Sequence, residues 1–278
     1  MNKMQSIKVQ GFALITVLWI TAFLAVIASA VSYQSRGSLS LANNVVNSFK
    51  TRHAAEGAFL LTANKLIKRD ELQGLVLTNP VFTYEIDDVV VSVRVADESG
   101  KIDINLAPTD LLRSLFTVIG MNDQSSASLA DAIADWRDQD NLKRASGAED
   151  QHYASEQRGY EAKDDEFDSI DEVNLVLGMN ANLYDRIKPF ITVYSQDLGV
   201  NPSLASSAVK RALQNVIAGN SEEVASDYVT STGGLIYTLY ARAIDPNGIT
   251  SNIEAIIRLQ RGNVFEPFTI LGLSLIHI

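Results

Sequence analysis

The sequence predicts an α+β fold: a long N-terminal helix packed on an antiparallel sheet, with a large all-helical insert between the strands. Three observations predict it. An apolar run near the N-terminus passes directly into an amphipathic helical pattern. Alternating, β-branched segments occur in two blocks far apart in the chain. Between those blocks lies a stretch with helical periodicity and a heavy excess of acidic residues.

The helix comes first. Lys3 and Lys8 are the only charged side chains before Gly11, and no charge follows until Arg36. The apolar centre, Phe12 to Val31, has about the length that crosses a bilayer as a helix. The basic flank predicts a cytoplasmic N-terminus, with the rest of the chain beyond the inner membrane. Ala28-Ser29-Ala30 also fits the cleavage site of a secretory signal, and a plain anchor is a further reading. The helical pattern, however, continues through that point. From Ser38 to Lys68 it is expected to lay Leu41, Val45, Phe49, Phe59, Leu60 and Leu66 against a sheet. Gly37 and Gly57 are the breaker candidates, each tolerable at about 1 kcal/mol. An unbroken helix from Phe12 to Lys68 is about 85 Å long. His53 and Glu56 form a structural pair on one face.

Tyr84–Ile86 and Val89–Val95 alternate around Asp87-Asp88, which predicts a hairpin. A turn at Asp97–Gly100 follows. The later strands are Ile191–Ser195, Leu235–Ile244 and Thr250–Gln260, the last two joined by the turn Asp245-Pro-Asn-Gly248. A helix from Ser203 to Ala218 lies among them, with Asn201-Pro202 at its start.

Pro108 to Lys188 is helical. Leu111–Asn122 and Ile170–Asn180 resemble each other, each with a glycine suited to a helix C-terminus and each followed by a second helix. Two helix-hairpin-helix or SAM-like units are expected. Such hairpins hold nucleic acid when basic residues accompany them. Here Asp131 to Glu172 carries fourteen acidic residues against five basic ones, most of the chain's net charge of −10. No nucleic-acid partner and no small-molecule substrate are expected. The sequence has no cysteine, three dispersed histidines, and no phosphate loop, nucleophile elbow or zinc-protease motif. No catalytic residue is therefore assigned, and the chain reads as a non-enzyme.

Gly11-Phe12, after a short basic leader, resembles the class III signal of type IV pilins and type II secretion pseudopilins. That resemblance implies cleavage after Gly11 by a prepilin peptidase, followed by N-methylation of Phe12. Most of that family has glutamate at the fifth mature position, where this chain has Thr16; the K subunit typically lacks it. Ile133–Asp140, Gly147–Asp150, Tyr153, Asp97–Asn105, Phe167–Val173 and Ile191–Tyr194 also resemble that K subunit, in order. The resemblance implies a pilin-like scaffold and a tip position on the pseudopilus. It also implies the minor pseudopilins I and J as partners. The expected organisation is a leader (1–11), a membrane and fibre-core helix (12–35), a pilin-like αβ domain (36–106 and 189–272), a helical insert (107–188) and an atypical tail (273–278). The soluble part is expected in the periplasm. A type IV minor pilin and a membrane-tethered DNA-uptake protein are the rival readings.

The acidic loop is the candidate metal site. Calcium takes six to eight hard oxygen ligands, which a dense carboxylate loop supplies. The expected ligands are Asp138, Asp140, Glu149 and Asp150, with Asp135 and Glu156 as alternates. A structural calcium ion is also what the resemblance implies. The alternative is a solvated acidic face.

Overall fold

In the computed structural model, residues 10–71, 80–219, 226–231, 233, 235–260 and 265–276 are described. Helix α1 (Gln10–Glu71) is continuous over 62 residues, about 93 Å at 1.5 Å per residue. Neither Gly37 nor Gly57 breaks it, as the small cost of an isolated glycine allows. Its span Leu14–Gln34 is long and apolar enough to cross a membrane, and none of it is buried by the rest of the chain.

Farther along, α1 buries a narrow face of small residues. Ala54, Ala55, Ala58 and Ala63 are buried together with Phe59 and Leu66. The alanines let the helix axis approach the sheet closely, while Phe59 and Leu66 each contribute about 1.5–3 kcal/mol by burial. Thr62 satisfies its hydroxyl on this face with Ala58 O (2.8 Å) and the Tyr84 hydroxyl (2.9 Å). The expectation for the packed face is corrected in part. Leu41, Val45, Phe49 and Leu60 are about half to two-thirds exposed and point away from the sheet. Helical periodicity favours the bulky residues, whereas the sheet selects the small ones.

The sheet packed on α1 contains β1 (Val81–Ile86), β2 (Val89–Asp97), β5 (Ile236–Ile244), β6 (Thr250–Leu259) and β7 (Phe268–Ile276). Their order is β1-β2-β5-β6-β7, with every neighbouring pair antiparallel. Asp87 and Asp88 have φ of 47° and 67°, the left-handed pair that a two-residue hairpin needs. Alternate residues Val89, Val91, Val93 and Val95 of β2 face α1 and are buried. Of the segment expected as an atypical tail, residues 273–276 continue the edge strand and 277–278 lie outside the described residues. Leu273 pairs with Ala255 and Ile276 with Asn252.

Between β2 and β5 the chain builds a second unit. A single turn of 3₁₀ helix at Glu98–Gly100 leads to β3 (Ile102–Asp103), then α2 (Thr109–Val118), α3 (Asp123–Arg137) and α4 (Asp150–Ser155). After these come α5 (Ala181–Ile187), β4 (Ile191–Thr192) and α6 (Ser207–Gly219). Ile191–Ser195, expected as a sheet strand, is only two residues of strand, and these pair in parallel with β3, outside the main sheet. The internal repeat survives at its turns. Gly120 and Gly178 have φ of 95° and 91°, and Asn122 and Asn180 cap the following helices through Ser125 N and Leu183 N. The first repeat is a true helical hairpin. The second differs, because Ile170–Leu175 forms 3₁₀ helix rather than α-helix.

The two units have separate cores. One gathers buried residues of α1, β2, β5 and β6. The other runs from Ile102 to Tyr228 and includes Val209, Ala212 and Leu213 of α6. Helix α6 thus packs with the helical unit, whereas the sequence places it in the 189–272 part of the pilin-like domain. Ser114 of α2 fixes that contact by donating to Ala212 O at 2.9 Å. Helix α6 starts at Ser207, later than the expected Ser203.

Candidate metal centre

The C-terminal turns of α3 organise the acidic loop. Asp135 is fully buried, and its carboxylate accepts the Arg144 backbone N–H (3.2 and 3.3 Å) and Arg144 Nη1 (2.8 Å). The same Nη1 also bonds Asp138 Oδ2. One turn earlier, Asp131 Oδ2 accepts the backbone N–H of Ser146 at 3.0 Å. These bonds wrap residues 138–149 back onto the helix that precedes them.

The wrapped loop delivers Glu149 to the N-cap of α4. Its backbone N–H donates to His152 Nδ1 at 3.2 Å, but its two carboxylate oxygens are buried without a hydrogen-bond partner. Asp138 Oδ1 and Asp164 Oδ1 are in the same condition. Glu149, Asp150 and Asp164 each present a ligand atom, all within 4.8 Å of one another. Asp150 gives one oxygen to the Ala162 N–H (3.1 Å). Asp164 has φ of 56° and is placed by donating its N–H to Trp136 O at 3.0 Å.

The electrostatics follow from this crowding. Burial, and then the charges of Asp135, Asp138, Asp164 and Asp150, push the Glu149 carboxyl up to about 7. Burial followed by the Asp150 and Asp138 charges raises Asp164 too. Buried carboxylate oxygens without donors are costly, and several converging on one point share a deficit that a cation removes. The donors are all hard oxygens, the set suited to a divalent cation of the calcium type rather than to zinc or copper.

The nearby aromatic residues are structural. Trp136 is buried and stacks on Phe167 with ring centroids 6.2 Å apart, while its Nε1 donates to Glu172 at 3.1 Å. Arg137 spends its guanidinium on the carbonyls of Ile104 and Ala107.

A family model described as "Type II secretion system (T2SS), protein K" matches residues 90–196. The type II secretion system protein K of Pseudomonas aeruginosa is 27% identical over 237 residues, covering 77% of this chain and 71% of that protein. Its Klebsiella pneumoniae counterpart is 24% identical over 208 residues, covering 68% of this chain and 64% of that protein. Over these stretches the chain is similar to the type II secretion system protein K family. The fold agrees. A chain of the GspK–GspI–GspJ complex from enterotoxigenic Escherichia coli superposes with a TM-score of 0.62 at 15% identity, over 88% of this chain and all of that one. The match to the Klebsiella protein spans somewhat under two thirds of that relative's length.

Within this K-like chain, the expected ligands separate. Glu149 and Asp150 come together with Asp164, which the acidic-loop pattern does not mark, while Asp138 lies outside that group of three as a neighbouring charge. Asp140 is exposed, and its Oδ1 accepts the Leu142 N–H at 2.8 Å. Glu156 is exposed at the end of α4. Asp135 is committed to Arg144. No local signal marks Asp164, because Trp136 brings it in from fourteen residues beyond Asp150. Gly11 and Phe12 lie in the first turn of α1, while the leader residues 1–9 and the Phe12 side chain fall outside the described residues.

Proposed function

We propose that the chain acts by assembly, as a minor pseudopilin at the tip of the type II secretion pseudopilus, and not by catalysis. One observation carries this reading. Helix α1 leaves its whole apolar span Leu14–Gln34 uncovered, and beyond it Val46, Phe49, Leu60 and Leu61 stay exposed among polar neighbours such as His53 and Glu56. A rod of this kind needs lipid first and sister helices afterwards, since apolar area on that scale is unstable in water. Similarity to the type II secretion protein K family supplies the system. The relative's complex with the proteins named I and J supplies the partner class, so this chain's outward stripe is assigned to the helices of the corresponding minor pseudopilins. The soluble units lie on the periplasmic side, given the basic leader.

Thr16 supports the tip position. A fibre-core carboxylate requires a neighbouring amine as its partner, and an end subunit lacks one neighbour. Mass spectrometry of the mature protein from cells containing the peptidase tests the assignment. N-methylated Phe12 is the expected terminus. A retained leader, or loss of the whole rod, overturns it.

In the same reading, Asp138, Glu149, Asp150 and Asp164 hold a structural calcium ion. The partnerless oxygens support this. Calcium would neutralise the cluster and tie the loop, α4 and residue 164 together. A rise in melting temperature with calcium, reversed by chelator, is expected; no shift removes the ion from the proposal.

A further inference from the structure

We propose that Arg144 is the internal cation of this carboxylate cluster, holding the loop closed when no divalent ion is present and competing with that ion for Asp138. The inference rests on the calcium reading above and concerns its regulation. Five carboxylates crowd the site: Asp135, Asp138, Glu149, Asp150 and Asp164. Of the neighbouring cations, Arg137 is bonded to backbone carbonyls, Lys163 is paired with Asp168 and Glu172, and His152 accepts a backbone N–H through Nδ1. Among the described residues Arg144 is the one cationic side chain bonded to the cluster's carboxylates, and it bonds two of them.

Asp138 is divided between the two cations. Its Oδ2 is held by Arg144, while its Oδ1 is buried and partnerless. Arg144 sits on the same loop, six residues along, so its effective concentration at Asp138 is high. Its positive charge opposes entry of a second cation, and moving Asp138 fully onto a metal would cost the Arg144 bond. The guanidinium is 40% exposed, so it has solvent to move into, whereas Asp135 beneath it has none. Arg144 therefore sets a threshold. The site stays folded without an ion and loads only where the divalent ion is plentiful.

The test uses the full chain in detergent micelles, comparing wild type with R144Q and R144K. Terbium(III), sensitised by Trp136 and displaced by calcium, reports affinity, and thermal melting reports stability. R144Q is expected to bind calcium several-fold more tightly, to melt lower without the ion, and so to gain more on saturation. R144K, which keeps the charge, is expected to bind like wild type. Equal or weaker binding by R144Q beside a wild type that binds overturns the role of Arg144 and leaves the calcium reading standing. Tightening by R144K to the same extent also overturns it. Failure of every form to bind overturns both. If R144Q does not fold, the D135N/R144Q double variant removes the buried pair together and carries the same comparison.

Discussion

Gly147 lies so close to the buried carboxylate of Asp135 that a Cβ there would stand 1.9 Å from Oδ2. The Asp135 side chain has no room to yield, because Arg144 grips it from both backbone and side chain. Gly147→Ala is therefore expected to lower stability by about 1–3 kcal/mol, the usual cost of overpacking. Chemical denaturation measures it. A silent substitution would show that the loop does not pack on α3 as described.

A pH dependence follows from Glu149. Its folded pKa, raised to about 7, exceeds its ordinary 4.5, so the folded state binds the proton more tightly. This protonation favours the fold at low pH, and the advantage is lost as pH rises from about 4.5 through 7. Without divalent ions, melting temperature should fall across that window, with a limiting slope of about 1.4 kcal/mol per pH unit. E149Q should flatten the slope and stabilise the metal-free protein at neutral pH. Saturating calcium should remove the decline in wild type. A metal-free melting temperature that rises through the window would contradict the sign.

Glu98 ties the two units together. It is buried, and its carboxylate accepts from Lys101 Nζ and from Thr238 Oγ1 of β5. Glu98→Ala strands a largely buried ammonium and should cost about 3–5 kcal/mol. Glu98→Ala/Lys101→Met should recover part of that loss. A double variant no more stable than the single one would rule out the stranded charge as the cause.

The outward face of α1 predicts a separation between folding and assembly. Phe49 and Leu60 are more than half exposed, so F49E and L60E should leave the melting temperature of the soluble units unchanged. Co-purification with the other minor pseudopilins should be lost. Normal co-purification of both variants would move the interface elsewhere.

Long periodic and alternating segments were legible in the sequence. The unbroken α1, the β1–β2 and β5–β6 hairpins and the first helical hairpin follow from local pattern. What depended on tertiary context was not. Leu41 and Phe49 look like core residues until the sheet is seen to accept alanines instead. Ile170–Leu175 repeats Leu111 and its neighbours yet tightens to 3₁₀ helix, where Asp168 N and Trp136 Nε1 both bond Glu172. At the metal centre, Glu149 and Asp150 stood out as a dense acidic pair. Asp164 did not, because its placement depends on a backbone bond to Trp136. Some family-like motifs were structural clamps. Asn105 and Phe167 exchange two hydrogen bonds, at 3.0 and 2.7 Å, across sixty-two residues.

Asp97 and Tyr237 are cross-strand partners, so everything from 98 to 236 leaves and re-enters the sheet at adjacent positions. Neighbouring strands are about 5 Å apart, a gap that a tight turn spans. Among the described residues, the hydrophobic interior beneath α1 borrows none from that long excursion. The helical part is thus a graft on an ordinary hairpin. Cutting it out and closing the gap should leave a small rod-and-sheet module intact, a hatless version of the same molecule on which the need for the hat can be measured directly.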